Sequence, residues 1–290
     1  MKKQRFIEFP TTWDELTSDD WREVLKIRHT VVTTDHQWTA EDIRIETARA
    51  LLKCRGVKTQ INNPKYLELL ARLQQSLTWL WPVEGSTVSL SYRSTVNLMP
   101  RVRDWLGPMS HGEDLMFGEF RQAMAALRTF ESPAGETPEK CNELRQTALQ
   151  ALAGLLYRPA ATDSQRHMQQ LRRQPYDWDS LNDQVKRGAQ MKPWQVWGIY
   201  AWFAYFCEYL TEGVFIIGGC EVCFAPLFEK SASGGLPVGS PSNSLQQICL
   251  TLAESHVFGN YRDVEHTPLL TVMQKLLQDY ETLMKVRSKR

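Results

Sequence analysis

The sequence predicts a mainly α-helical protein, an irregular helical bundle with one small β-hairpin near residues 86–95. Three observations carry this. Helix-start signals recur along the chain, apolar residues follow them at three- and four-residue spacing, and one short stretch alternates with a period of two. With 42% hydrophobic and 23% charged residues, the 290-residue chain has the composition of a globular protein able to bury a sizeable core.

Thr12-Trp13-Asp14-Glu15 reads as a capping box, in which a hydroxyl and a carboxylate satisfy orphan amides reciprocally. Thr17-Ser18-Asp19-Asp20 places acids at the next helix start, where the macrodipole favours them, and Trp21, Val24, Leu25, Val31 and Val32 follow. Thr39 with Asp42 opens a helix that Gly56 closes. Asn63-Pro64 caps another, which ends before Pro82. After the turn Glu84-Gly85, Thr87 to Tyr92 alternates, which suggests a strand and half a hairpin. Helices are expected over Met116–Phe130 and from Thr137-Pro138 to Arg158-Pro159. Residues 160–178 read as a polar loop, followed by a weak helix after Asp179. Pro193 starts an aromatic helix, read as continuing through a kink at Gly218-Gly219 as far as Pro226. Ser244-x-x-Gln247 caps a helix to about His256, and Thr267-Pro268 starts the last one. Residues 1–228 are therefore read as one helical domain, with two poorly separated helical lobes as the alternative for the chain. Residues 229–243 (EKSASGGLPVGSPSN) form a flexible linker, and 244–290 a helical pair packed on the same core.

Val196 to Gly218 has the length of a membrane span, but Glu208 and Glu212 inside it each cost on the order of 3 kcal/mol near a bilayer centre. A buried core helix is the expectation. No apolar run follows the basic residues of MKKQRFIEFP, so no signal peptide is read and a reducing cytoplasm is expected. Lys+Arg of 34 against Asp+Glu of 33 gives net charge +1, which argues against a dedicated nucleic-acid binder.

The common catalytic signatures are absent: no phosphate-wrapping glycine loop, nucleophile elbow or paired-histidine zinc motif occurs. Cys220-x-x-Cys223 lacks the second ligand pair that a tetrahedral zinc needs, and is read as two buried free thiols. His256 and His266 stand near Glu254, Asp263 and Glu265, positions read as caps and solvated charges rather than a general-base pair. Glu208 and Glu212, one turn apart, are read as facing a polar groove or pairing with arginines. Arg166, Arg172 and Arg173, and the run Lys285 to Arg290, are noted as basic clusters. The expectation is a non-enzymatic protein without cofactor, metal, nucleic-acid or membrane partner.

Two apolar elements are candidate partner-binding surfaces. One is the aromatic helix with Trp194, Trp197 and Trp202. The other is the last helix, where Leu269, Met273, Leu276, Leu277 and Tyr280 form a broad stripe that also suits packing within the chain. Self-association is left open.

Collinear segments extend this reading. The opening FPTTWDELTSDDWREVLKI, Asn97-Leu98-Met99-Pro100, Gly107-Pro108, Leu115-Met116-Phe117-Gly118-Glu119-Phe120, Leu156-Tyr157-Arg158-Pro159, Leu252-Ala253-Glu254-Ser255-x-Val257-Phe258-Gly259 and His266-Thr267-Pro268 occur in order. This set resembles a group of uncharacterised phage and prophage proteins encoded in tail-gene clusters near the tape-measure protein. The resemblance implies a role in tail assembly, similar to that of the helical tail assembly chaperones, or a structural or adaptor role in the tail itself. It carries no catalytic residues, and the stretches 160–192 and 229–243 match it poorly. An enzyme using the buried acids or the histidines is the remaining alternative.

Overall fold

The computed structural model describes residues 7–165, 171–228 and 243–288. The fold is mainly α-helical, with antiparallel sheets of two or three very short strands. The chain groups into two compact units, Met1–Ser94 with Lys192–Gly198, and Thr95–Met191 with Ile199–Arg290. The expected linker, apart from Asn243, lies outside the described residues.

The first unit contains α1 (Ser18–Thr33), α2 (Ala40–Cys54) and α3 (Pro64–Leu73), followed by a hairpin of β1 (Val83–Glu84) and β2 (Thr87–Val88). Thr17 and Asp20 form a reciprocal capping box, as do Thr39 and Asp42. At the first signal the chain makes only a 3₁₀ turn, Trp13–Glu15, with no side-chain cap from Thr12. Glu15 instead accepts from the amide and hydroxyl of Thr11, which hold its carboxyl below the usual range. Trp13 meets Trp21 and Trp79 edge-on, each at 5.4 Å between centroids, a favourable quadrupole arrangement. Asp20 is fully buried, and Arg55 meets it bidentately at 2.7 and 3.1 Å.

The hairpin pairs Val83 with Val88 and Glu84 with Thr87, so its strands are shorter than the alternation to Tyr92 suggested.

The second unit is built on α4 (Phe117–Glu131), α5 (Pro138–Leu156) and α6 (Leu181–Ala189). α5 and α6 approach at two glycines. A Cβ on Gly154 would lie 1.9 Å from the Gln184 carbonyl oxygen, and one on Gly188 would lie 2.0 Å from that of Gln150. A three-stranded antiparallel sheet joins the segment before α4 to the one after α5, in the order β3 (Arg101–Val102), β4 (Trp105–Leu106), β5 (Arg158–Pro159). The chain after β5 pairs with the returning residues 172–174 through Ala161 N to Arg172 O and Gln174 N to Pro159 O.

α7 (Pro193–Glu212) begins among the residues grouped with the first unit and continues from Ile199 in the second. It stops at Glu212, and the expected continuation past Gly218 is wrong. The chain instead forms a hairpin of β6 (Val214–Ile217) and β7 (Cys220–Cys223), in which Phe215 faces Val222. Gly218 and Gly219 both have positive φ, +59° and +81°, which suits the two-residue turn whose twist matches paired strands. Burying Phe215 against Phe206, Tyr209 and Phe224 anchors the ribbon. No described helix is long and apolar enough to cross a membrane.

α8 (Asn243–Glu254), α9 (Tyr261–Glu265) and α10 (Leu269–Arg287) complete the unit. α10 is tied to α4 by backbone bonds between their starts: Phe117 N donates to Thr267 O at 2.9 Å, and Leu269 N to Leu115 O at 2.8 Å.

The glycine crossing yields a test. Alanine is the better helix former by about 1 kcal/mol. Gly188→Ala is nevertheless expected to destabilise by about 1–3 kcal/mol, because α5 and α6 must separate. Urea unfolding should show a lower midpoint; an unchanged or higher midpoint would contradict the close approach.

Candidate functional site

The second unit holds two clefts, and one of them is built over a buried ionic network. The carboxylate of Glu119, at the first turn of α4, is completely buried. Arg158, on β5, reaches it at 2.7 Å, and Arg173 at 2.9 Å on one oxygen and 3.2 Å on the other. Arg173 also donates to the carbonyls of Leu156 and Asp114, while Arg158 donates to those of Gln174 and Leu155. Asp114 bridges Arg172 at 3.0 Å and Arg173 at 3.2 Å. Burial lowers the Arg158 pKa from its ordinary value, and the neighbouring Glu119 opposes that shift.

Next to this network Tyr157 is buried, donating to Met99 O at 2.6 Å and to Asn97 Oδ1 at 3.3 Å. Asn97 donates to Pro108 O, so the segments 97–100, 107–108, 115–120 and 156–159 converge. Arg172 and Arg173, noted in the sequence as part of a basic cluster, are thus partners of buried and half-buried acids.

A polar cleft of about 670 Å³ lies over the network, with Asp114, Arg172, Arg173, Asp177, Asp263 and His266 in its wall. Here two residues of the histidine–acid group come together. His266 has Nδ1 2.8 Å from the Arg262 carbonyl and Nε2 3.3 Å from Asp177. Nδ1 is thus taken by a backbone carbonyl, and Nε2 faces the Asp177 carboxylate. Asp263 accepts from the Asn260 amide, completing the α9 capping box. His256 and Glu254 are exposed elsewhere.

The second cleft is apolar and measures about 580 Å³, within the range of ligand-sized pockets. Phe120, Met124, Cys207, Leu210, Phe228 and Met273 form most of its wall, with Arg128 and Glu212 as its charged members. The Cys207 thiol lies 3.3 Å from the Met124 sulfur. Among the described residues neither Arg128 nor Glu212 has an ion-pair partner.

The sequence-predicted surface residues distribute unevenly. Met273 lines the apolar cleft, while Leu269 and Leu276 are buried in the core. Leu277 and Tyr280 are half-buried. Beyond them the stripe emerges into solvent, with Leu283 58% and Met284 44% exposed. Trp202 is buried, stacks on Phe206 at 5.6 Å and donates its indole N–H to Thr95 O. Trp194 and Trp197 are half-buried beside Lys26 and Arg28, at 5.9 and 3.7 Å. Both Glu208 and Glu212 are exposed, so α7 carries no buried acid pair.

Cys220 and Cys223 are exposed on β7, against the expectation of burial, because the segment is a surface ribbon and not a core helix. Among the described residues, no group of three or more His, Cys, Asp or Glu could hold a metal ion.

Thiol chemistry tests this placement. Burial pushes the Cys207 thiol far above its usual range and Cys249 up to about 11. Only the thiolate reacts with a disulfide reagent, so raising the pKa slows labelling at neutral pH. Native protein should label quickly at Cys220 and Cys223, and at Cys207 only after unfolding, as read by mass mapping. Rapid native labelling of Cys207 would contradict the raised thiol pKa.

No family model, curated protein or solved structure matches this chain.

Proposed function

We propose that this protein is a non-enzymatic tail assembly factor of a phage or prophage, acting as a chaperone that holds a helical segment of the tape-measure protein. The collinear segments described above support the tail-assembly part of the reading. The single observation that carries the binding part is the apolar cleft of Phe120, Met124, Cys207, Leu210 and Met273, which offers sulfur, aromatic and aliphatic surface in one concavity. Polarizable, unbranched methionine side chains adapt to varied apolar partners. An amphipathic helix enters such a groove with anchors at i, i+3, i+4 and i+7. The near-neutral chain adds little long-range steering, so binding should weaken only modestly with salt.

Co-expression with the neighbouring tape-measure gene tests this. A complex is expected, with more tape-measure protein remaining in solution than when it is expressed alone. Met124→Arg should weaken the complex at least about tenfold, since a charge placed in an apolar contact is desolvated without a partner. Melting curves of the variant separate lost binding from lost folding. Failure to form a complex, with no gain in tape-measure solubility, would remove the chaperone reading. Recovery of the protein in finished particles would favour a structural component of the tail.

A further inference from the structure

Two features of the second unit have no partner among the described residues. One is the apolar cleft, whose wall carries Arg128 and Glu212, neither of them ion-paired among those residues. The other is the apolar face near the end of α10. Residues 281–288 are all exposed, yet they include Leu283, Met284 and Val286, each between 44% and 58% exposed. Leu277, Tyr280 and Met284 stand at i, i+3 and i+7 and so share a helix face, with Leu283 at its edge and Glu281 and Lys285 alongside. Seven exposed helical residues, 281–287, carrying large apolar side chains are poorly stabilised alone, because most helical stability comes from tertiary packing of an apolar face.

The cleft and the helix end match. The cleft is apolar with one cation and one anion in its wall; the helix end is apolar with Lys285 and Glu281 beside its apolar face. Glu212 can meet a lysine and Arg128 a glutamate, which is charge complementarity in both signs. The two cannot meet within one molecule. Met273 already lines the cleft, and Leu283 lies ten residues further along the same continuous helix, about 15 Å away at 1.5 Å per residue.

We propose that a second copy of this chain fills the cleft with the exposed apolar face at the end of its α10, so that copies associate head to tail. Such an interface joins two different surfaces, and it repeats to give a ring or an open chain. A cleft occupied in this way is closed to other helices. That last consequence rests on the cleft being the helix-binding site proposed above; the self-association itself does not.

Sedimentation of the full-length chain across a wide concentration range tests the inference. The wild type should associate with increasing concentration. Leu283→Glu, at an exposed position, and Met124→Arg, in the cleft wall, should each weaken association at least about tenfold while melting curves confirm folding. The decisive arm mixes the two variants. Leu283→Glu keeps an intact cleft and Met124→Arg keeps an intact helix end, so the mixture should form a one-to-one dimer that cannot extend. A wild type that stays monomeric throughout would overturn the inference and leave the cleft to a partner helix or to residues 229–242. Association unaffected by Met124→Arg would overturn it in favour of symmetric pairing of the helix ends. A mixture no more associated than its parts would overturn it as well. Adding a tape-measure helix should dissociate the wild type; association that survives saturating helix would leave head-to-tail assembly standing and count against the cleft as the chaperone site.

Discussion

A carboxylate with no access to water must be met by charge and hydrogen bonds, and Glu119 imposes that requirement on the whole second unit. Its two arginine partners come from positions 39 and 54 residues further along the chain, so satisfying it fixes three distant segments at once. The arginines in turn take the carbonyls at the end of α5 and the carbonyl of Asp114. Those carbonyls are the orphan acceptors that any helix terminus or loop must satisfy. Removing one member of such a group leaves the others buried and unpaired, at a cost of about 3–5 kcal/mol. The start of α4 is thereby held in place, and the backbone bonds from Leu115 and Phe117 carry the constraint to the start of α10. The wall of the apolar cleft follows, since Phe120, Met124 and Met273 lie on those two helices.

The first unit meets the same problem at smaller scale. Asp20 caps its own helix through Thr17 and receives both arms of the Arg55 guanidinium, so one buried acid both starts α1 and ties it to the end of α2. In both units the acid sits in the first turn of a helix, where backbone amides and the macrodipole already favour negative charge. That placement reduces the cost of burial before any arginine arrives.

Much of the fold was legible in the sequence because local chemistry decides it. Thr17/Asp20, Thr39/Asp42, Asn63-Pro64 and Thr137-Pro138 mark helix starts through hydrogen bonds made within a few residues, and each opens a helix. What was misread depended on contacts between distant residues. Val214–Cys223 continues an apolar run, and period alone does not separate a buried helix from a short strand. The Gly-Gly pair directly after the β-branched Ile216-Ile217 was the available signal for a hairpin. Glu119 and Arg173 reveal themselves only through each other, although an acid in the apolar run Leu115–Phe120 and an arginine pair in a polar loop were visible separately. Of the predicted binding stripe on α10, periodicity located the apolar face but could not say where the core stops. Leu269 and Leu276 are consumed by packing, whereas Leu283 and Met284 are not.

Glu119 and Arg173 act together as the pair around which the second unit of the chain is organised. The most direct measurement is a double-mutant cycle of Glu119→Gln and Arg173→Met, read by denaturant unfolding. If the pair acts as a unit, losing the second partner should add little to the loss of the first, giving a coupling energy of about 2 kcal/mol or more. Single effects that simply add, to within about 0.5 kcal/mol, would contradict the account.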